Sequence, residues 1–301
     1  MANELLYSGV GSARLSEILH SELHVILADY TDLSALVPVV REMNGAGSTT
    51  LKTARVDWDN AMAAVAENAS TSNTALSFDS VTGSFARQAL QRQASDLYEI
   101  TGSMPDASIP AIAQSMALAA MLRKTDMICT LFSSVSGTVG TTTVDLTVSD
   151  MYSAMFALMN TSVPLPYIAA LYPVQFTDFM SSLQGEVGPQ AFAPATQAML
   201  AAKGPGYKGN WQGIEFFTSD SIPTANGGAD SNGCLFSPNA FAAIRARQNV
   251  VVGGQVVFPD AEVAVEFERD AGGALTKIVG NLWYGCYEQE DALAVGIVTD
   301  R

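Results

Sequence analysis

Apolar residues recur at helical spacing over Leu15, Ile18, Leu19, Leu23, Ile26 and Leu27, which predicts an amphipathic helix ending near Asp29. Residues 1–13 before it are small and polar, an arm with no core of its own. A short apolar segment, 33–40, runs to the turn Asn44-Gly45-Ala46-Gly47. Over 51–100 the period changes: LKTARVDWD and DSVTGSFARQALQRQ interleave β-branched and aromatic residues with polar ones, and ENASTSNTALSF between them is small and polar. The pattern predicts two long arms of a hairpin with too little apolar surface to be stable alone. Residues 108–135 then predict one unbroken helix. Asp106 and Ser108 are its candidate caps, Pro110 sits in its first turn, and Ile109, Ile112, Ala113, Met116, Ala120, Met127 and Leu131 keep its spacing. Such a helix is on the order of 40 Å long. It does not read as a membrane span, because Arg123, Lys124 and Asp126 end the uncharged run 109–122 short of the ~20 residues a bilayer requires.

From 144 to 265 helices alternate with strands. Ser149 is a candidate cap for a helix carrying Met151, Met155, Leu158 and Met159. Residues 167–172 read as a buried strand stopped by Pro173, and Phe176, Phe179, Met180 and Leu183 as one helical face. Residues 191–203 predict a helix closed by Gly204, 213–218 and 233–236 predict strands, and Ser237-Pro238 predicts a helix through Phe241 and Ile244. The chain closes on a hairpin: Val263, Val265 and Phe267 alternate with polar residues, Asp270-Ala271-Gly272-Gly273 turns, and 275–287 returns.

Composition narrows the function classes. Thirty acidic against fifteen basic residues give a net charge of −15, which excludes the clustered Lys and Arg of a nucleic-acid grip. Cys129, Cys234 and Cys286 form no Cys-x-x-Cys pair, and the N-terminus lacks a signal-peptide pattern, so the expected setting is a cytoplasm. His20 and His24 stand four apart, but Ser21 occupies the place where a zinc-protease motif needs glutamate. The G-x-G-x-x-G match over 204–209 follows a helix and precedes a strand, the reverse of a dinucleotide fingerprint. No G-x-S-x-G elbow or phosphate loop occurs.

The order of parts, with the stretches DLSALVPVVREMNGAGSTT (32–50), GNWQGIEFFTSDSIPT (209–224) and VEFERDAGGALTKIVGNLWYGCYEQEDALAVGIVTD (265–300), resembles the major capsid proteins of tailed bacteriophages, whose Hong Kong ninety-seven-type fold encapsulin shells share. The resemblance implies an α+β chain. Its parts would be an N-terminal arm and helix over 1–50, an extended β-hairpin loop over 51–95 and a peripheral domain with a spine helix over 96–143. An axial α/β domain over 144–260 and closing strands of both domains over 261–301 would complete it. The implied function is structural: self-assembly as hexamers and pentamers into an icosahedral head enclosing double-stranded DNA, in the virion after assembly in the host cytoplasm. No enzyme activity, cofactor or metal, no specific nucleic-acid binding and no membrane are implied.

The implied partners are further copies of the chain, a separate scaffolding protein, a portal and a decoration protein. Only a short arm precedes Leu15 where many relatives carry a long cleaved segment, so scaffolding is expected from another protein or the chain is already processed. The alternatives are an encapsulin-type compartment and an α/β hydrolytic enzyme; the latter needs converging carboxylates or histidines that no motif clusters. Arg87 and Arg92, on the returning arm of the hairpin, are the expected inter-subunit contacts, since planar guanidinium groups suit acidic partners. Some relatives join a loop lysine to a neighbour's asparagine, a position for which Asn281 is available here. No lysine occurs over 56–93 and the nearest, Lys52, lies at the hairpin root, so a non-covalent shell is expected.

Overall fold

The computed structural model describes residues 33–43, 47–56, 78–95, 105–161, 163, 165–186, 188, 191–204, 206–252, 255–270 and 272–301. The expected N-terminal helix, His20 and His24 and the tip of the hairpin lie outside the described residues. In chain order, a 3-10 turn (Leu33–Leu36) precedes β1 (Val39–Glu42), β2 (Thr50–Val56), β3 (Phe78–Ser84), β4 (Ala86–Ser95) and α1 (Pro105–Leu131). There follow β5 (Thr138–Val139), α2 (Val148–Asn160), β6 (Tyr167–Leu171), α3 (Pro173–Glu186), β7 (Ala193–Pro194), α4 (Gln197–Lys203), β8 (Tyr207–Trp211) and β9 (Ile214–Thr218). The rest is strand: β10 (Thr224–Ala225), β11 (Asp230–Phe236), β12 (Phe241–Ala246), β13 (Gln248–Val252), β14 (Gln255–Ala261), β15 (Val263–Asp270), β16 (Leu275–Glu288) and β17 (Ala294–Asp300).

The first sheet is built on β16. Along one edge β16 pairs β15 from Leu275 to Leu282 and then β12 from Trp283 to Glu288; along the other it pairs β4 from Leu275 to Tyr284. β1 extends the sheet beside β12 in parallel register. Pleating puts Ile278, Gly280, Leu282 and Tyr284 on one face, and α1 covers them with Met116, Ala117, Ala120, Ile128 and Cys129. Gly280 leaves room for Met116, whose sulfur would lie 3.4 Å from any Cβ there. Lys124, buried on α1, reaches Glu262 at 2.8 Å and ties the β14–β15 junction to the helix. Burial pushes the Glu262 carboxyl up, but Lys124 holds it below the ordinary carboxylate value.

The second sheet runs β5-β17-β11-β6-β9-β8-β7, with β10 beside β11. Both its faces are covered, so β6 reads Tyr-Ile-Ala-Ala-Leu with no polar position and is buried throughout. Tyr167, Ala169 and Leu171 point to α2 and α3, meeting Met151, Leu158, Phe179 and Leu183. Ile168 and Ala170 point the other way, into the core that α1 covers. Phe132, Phe236 and Phe241 meet there with ring centroids 5.2–5.8 Å apart and fuse the two sheets into one core.

The structure corrects four local readings. α1 spans Pro105–Leu131 rather than 108–135, so Asp106 and Ser108 lie inside its first turn. α2 is capped by Thr147 rather than Ser149: Thr147 Oγ1 accepts from Asp150 N (3.2 Å) and Asp150 Oδ2 accepts from Thr147 N (3.1 Å), a reciprocal box. The helix predicted over 191–203 shrinks to α4, because the residue before Pro194 disfavours helix and Ala193–Pro194 pair with β8. The helix predicted after Ser237-Pro238 is a turn followed by β12. Phe241 and Ala243 enter one core and Ala242 and Ile244 another, an alternation only a strand supplies. The slot between β1 and β16 outweighs the local N-cap signal.

Thr147→Ala removes the side-chain half of the α2 box and is expected to cost about 1 kcal/mol. Urea unfolding of the wild-type and variant chains measures it; Ser149→Ala, outside the cap, is expected to be near neutral.

Candidate assembly surfaces

Among the described residues three surfaces stand out. The first is the hairpin β2–β3, paired from Thr50↔Ser84 at the root to Val56↔Phe78. Its root is clamped to the first sheet. Tyr287 Oη and Thr53 Oγ1 are 3.1 Å apart, and Leu51, Val81 and Phe85 close over Met43, Ala242, Ile244 and Tyr287. Two glycines permit the approach. A Cβ on Gly285 would stand 2.0 Å from the Ser84 carbonyl oxygen, and one on Gly83 2.4 Å from the Tyr287 ring. Between and beyond these root contacts Lys52, Asp79, Ser80 and Thr82 are exposed.

The second surface holds the two arginines. The returning arm is not one strand: Phe78–Ser84 pairs with β2, the chain shifts at Phe85, and β4 pairs with β16. Arg87 and Arg92 both lie on β4, at odd separation, so they occupy opposite faces and do not form one patch. Arg92 Nη2 donates to Ser115 Oγ of α1 at 2.9 Å; Arg87 Nε donates to Asn281 Oδ1 at 2.7 Å. Both arginines are exposed beyond these bonds, whereas Asn281, available by sequence for a crosslink, is buried beneath Arg87.

The third surface is apolar and was missed by the sequence reading. Tyr152, Phe156 and Met159 form an outward stripe on α2, with Phe156 69 % and Met159 56 % exposed. Leu165 stands beside them, and a notch of about 440 Å³ opens between Met155, Met159, Val163, Leu165, Tyr167 and Gln212. The spacing held the signal, because Phe156 falls off the Met151–Leu158 face; Met159, named with them by its helical spacing, belongs to this stripe.

The other sequence candidates resolve into structure. Gly204 is the C-cap of α4 with φ 86°, so the G-x-G-x-x-G match is a helix-ending turn. Burial raises the Cys129 thiol to about 12 and pushes Cys234 up further, leaving both protonated. No group of three or more metal-ligating side chains occurs among the described residues, and no helix among them is long and apolar enough to cross a membrane.

No family model and no curated protein matches the chain. Solved structures do. The capsid of Ralstonia phage GP4 superposes with TM-score 0.64 and 10 % identity over 90 % of this chain and 91 % of that one. The capsid of cyanophage P-SCSP1u gives 0.59 and 12 % over 91 % and 89 %, and the holo-SrpI encapsulin complex from Synechococcus elongatus 0.61 and 11 % over 89 % and 86 %. The α+β fold expected from the sequence is therefore the observed one, shared with phage capsids and an encapsulin along nearly the full length of each chain.

Gly285→Ala is expected to lower stability by about 1–3 kcal/mol, since the added methyl meets backbone and the hairpin root must shift. Gly185→Ala, in α3 with open space around it, is expected to be neutral or stabilising. Thermal melts of the two variants compare them directly.

Proposed function

We propose that the chain is the major capsid protein of a tailed phage, assembling as hexamers and pentamers into an icosahedral head around double-stranded DNA. The observation that carries this reading is the match to capsid structures over about nine-tenths of both chains. Two surfaces support it. Among the described residues the hairpin packs on its own chain at its root, and the α2 stripe leaves large apolar side chains in water, as an interface requires. The net charge of −15 suits a wall over which packaged DNA slides, because a basic lining would hold phosphates. On this reading a scaffolding protein, a portal and a decoration protein are its partners, assembly is in the host cytoplasm, and the chain is not an enzyme. The parts fall as arm 1–50, extended loop 51–95, peripheral domain 96–143, axial domain 144–260 and closing strands 261–301.

The encapsulin match keeps a second reading, a cargo-loading compartment. Expression alone and with a scaffolding partner separates the two. A phage head requires the partner or forms aberrant particles without it; a compartment forms small uniform shells unaided. A chain that remains monomeric under both conditions refutes both.

Arg87 and Arg92 are proposed inter-subunit contacts, their exposed ends reaching acidic groups of a neighbour on the two faces of β4. Arg87→Glu with Arg92→Glu is expected to block or destabilise assembly while the monomer keeps its circular-dichroism spectrum. Normal particles from the double variant refute the contact. The shell is proposed to be held by non-covalent contacts alone, because no lysine occurs over 56–93, Lys52 lies at the hairpin root, and arginine stays protonated. Mature particles boiled in detergent are expected to release one band at 31.7 kDa; ladders surviving reductant contradict this.

A further inference from the structure

Three chain crossings join the two sheets, and all three meet along one seam. α1 passes to β5 through 132–137, β11 to β12 through 237–240, and β16 to β17 through 289–293. Backbone bonds stitch the crossings together. Ser237 N donates to Leu293 O (3.0 Å), Gln289 N and Glu290 N donate to Ala240 O (2.8 and 3.1 Å), and Gly296 N donates to Gly137 O (2.7 Å).

Two carboxyl groups close this seam. Glu288 ends β16 and Asp291 opens the 3-10 turn Asp291–Leu293. Ser134 Oγ donates to Glu288 Oε2 at 2.8 Å. Ser136 N donates to Asp291 Oδ1 at 2.9 Å, and Ser136 Oγ donates to Asp291 Oδ2. The two carboxyl groups are close enough for one to donate to the other when either is protonated. They stand at the C-terminal end of a 27-residue helix with no basic residue in its last turn, where the dipole opposes negative charge. Among the described residues the other elements packed there offer no compensating cation: β12 faces Glu288 with Phe241, and β11 with the protonated Cys234.

The pair is therefore asymmetric. Burial opposes the Asp291 charge, but the Ser136 donors and Glu288 hold its pKa below the ordinary aspartate value. Burial, then Asp291 and Glu290, push Glu288 above its ordinary value against the single bond from Ser134.

We propose that Glu288 and Asp291 form a proton-operated latch on this seam: sharing one proton they bind the β16–β17 connector to the end of α1, and losing it they become adjacent like charges that loosen the junction between the sheets. The latch belongs to the single chain and holds whether or not copies form a shell. Its sign follows from Glu288, the group that gives up the proton. The stabilisation is complete below the ordinary glutamic acid value of 4.5 and is lost as pH rises through the raised folded value. Local opening of the seam becomes about tenfold more frequent for each unit by which the folded value exceeds the unfolded one.

Hydrogen exchange on the full chain, from about pH 5 to about pH 8 and corrected for intrinsic rates, tests this. In wild type, opening at Gln289, Glu290 and Gly296 is expected to rise with pH while the β6–β9 ladder stays constant. Glu288→Gln keeps a hydrogen-bond donor and removes the charge, so it is expected to abolish the rise. Asp291→Asn removes the like charge and is expected to flatten it. A wild-type seam whose opening does not change with pH, or a rise that survives in Glu288→Gln, overturns the latch. Should Glu288→Gln fail to fold, wild type and Asp291→Asn decide it: an undiminished rise in Asp291→Asn overturns it equally.

Discussion

A buried strand must have its backbone groups satisfied along both edges, and β16 imposes that demand over fourteen residues. No single neighbour is long enough. β15 satisfies one edge as far as Leu282, β12 takes over from Trp283, and β4 satisfies the opposite edge. Three segments from distant parts of the sequence are thereby fixed around one strand, and α1 can lie along the face they make. Gly280 under Met116 and Gly285 under Ser84 are the two points where side-chain volume would have kept these layers apart.

The second sheet depends on the first through the aromatic contact of Phe132, Phe236 and Phe241. Each such ring pair contributes about 0.5–1.5 kcal/mol beyond the area it buries. The contact joins the end of α1, the end of β11 and the start of β12, so the packing that unites the sheets sits at their crossings. The Glu288–Asp291 pair lies on the same seam, bonded to Ser134 and Ser136 just beyond the end of α1.

The surfaces facing outward are what a single chain does not need. The hairpin root is packed, yet Lys52, Asp79, Ser80 and Thr82 along the described arms are exposed. The α2 stripe exposes Phe156 although the opposite side of the same helix buries Met151 and Leu158 completely. Both features lie outside the cores that fold the chain.

The sequence by itself determined those elements whose period and punctuation agree with their surroundings. β6, α3 and the β15–β16 hairpin were legible because their apolar spacing matches a single face, or two buried faces, without conflict. The long helix was legible from its unbroken pattern, and the order of parts pointed to the observed fold. What tertiary structure decided lies where local and distant preferences compete. Ser237-Pro238 signals a helix start, but the open position beside β16 draws Phe241–Ala246 into a strand. The returning arm reads as continuous, but β16 captures β4 and leaves only β3 for the hairpin, placing Arg87 and Arg92 on opposite faces of the sheet. The outward Phe156 and the seam carboxyls were invisible for a related reason. Exposure and the contacts of Ser134 with Glu288 and of Ser136 with Asp291 arise between residues far apart in the chain, and no local spacing records which of them the packed layers bring together.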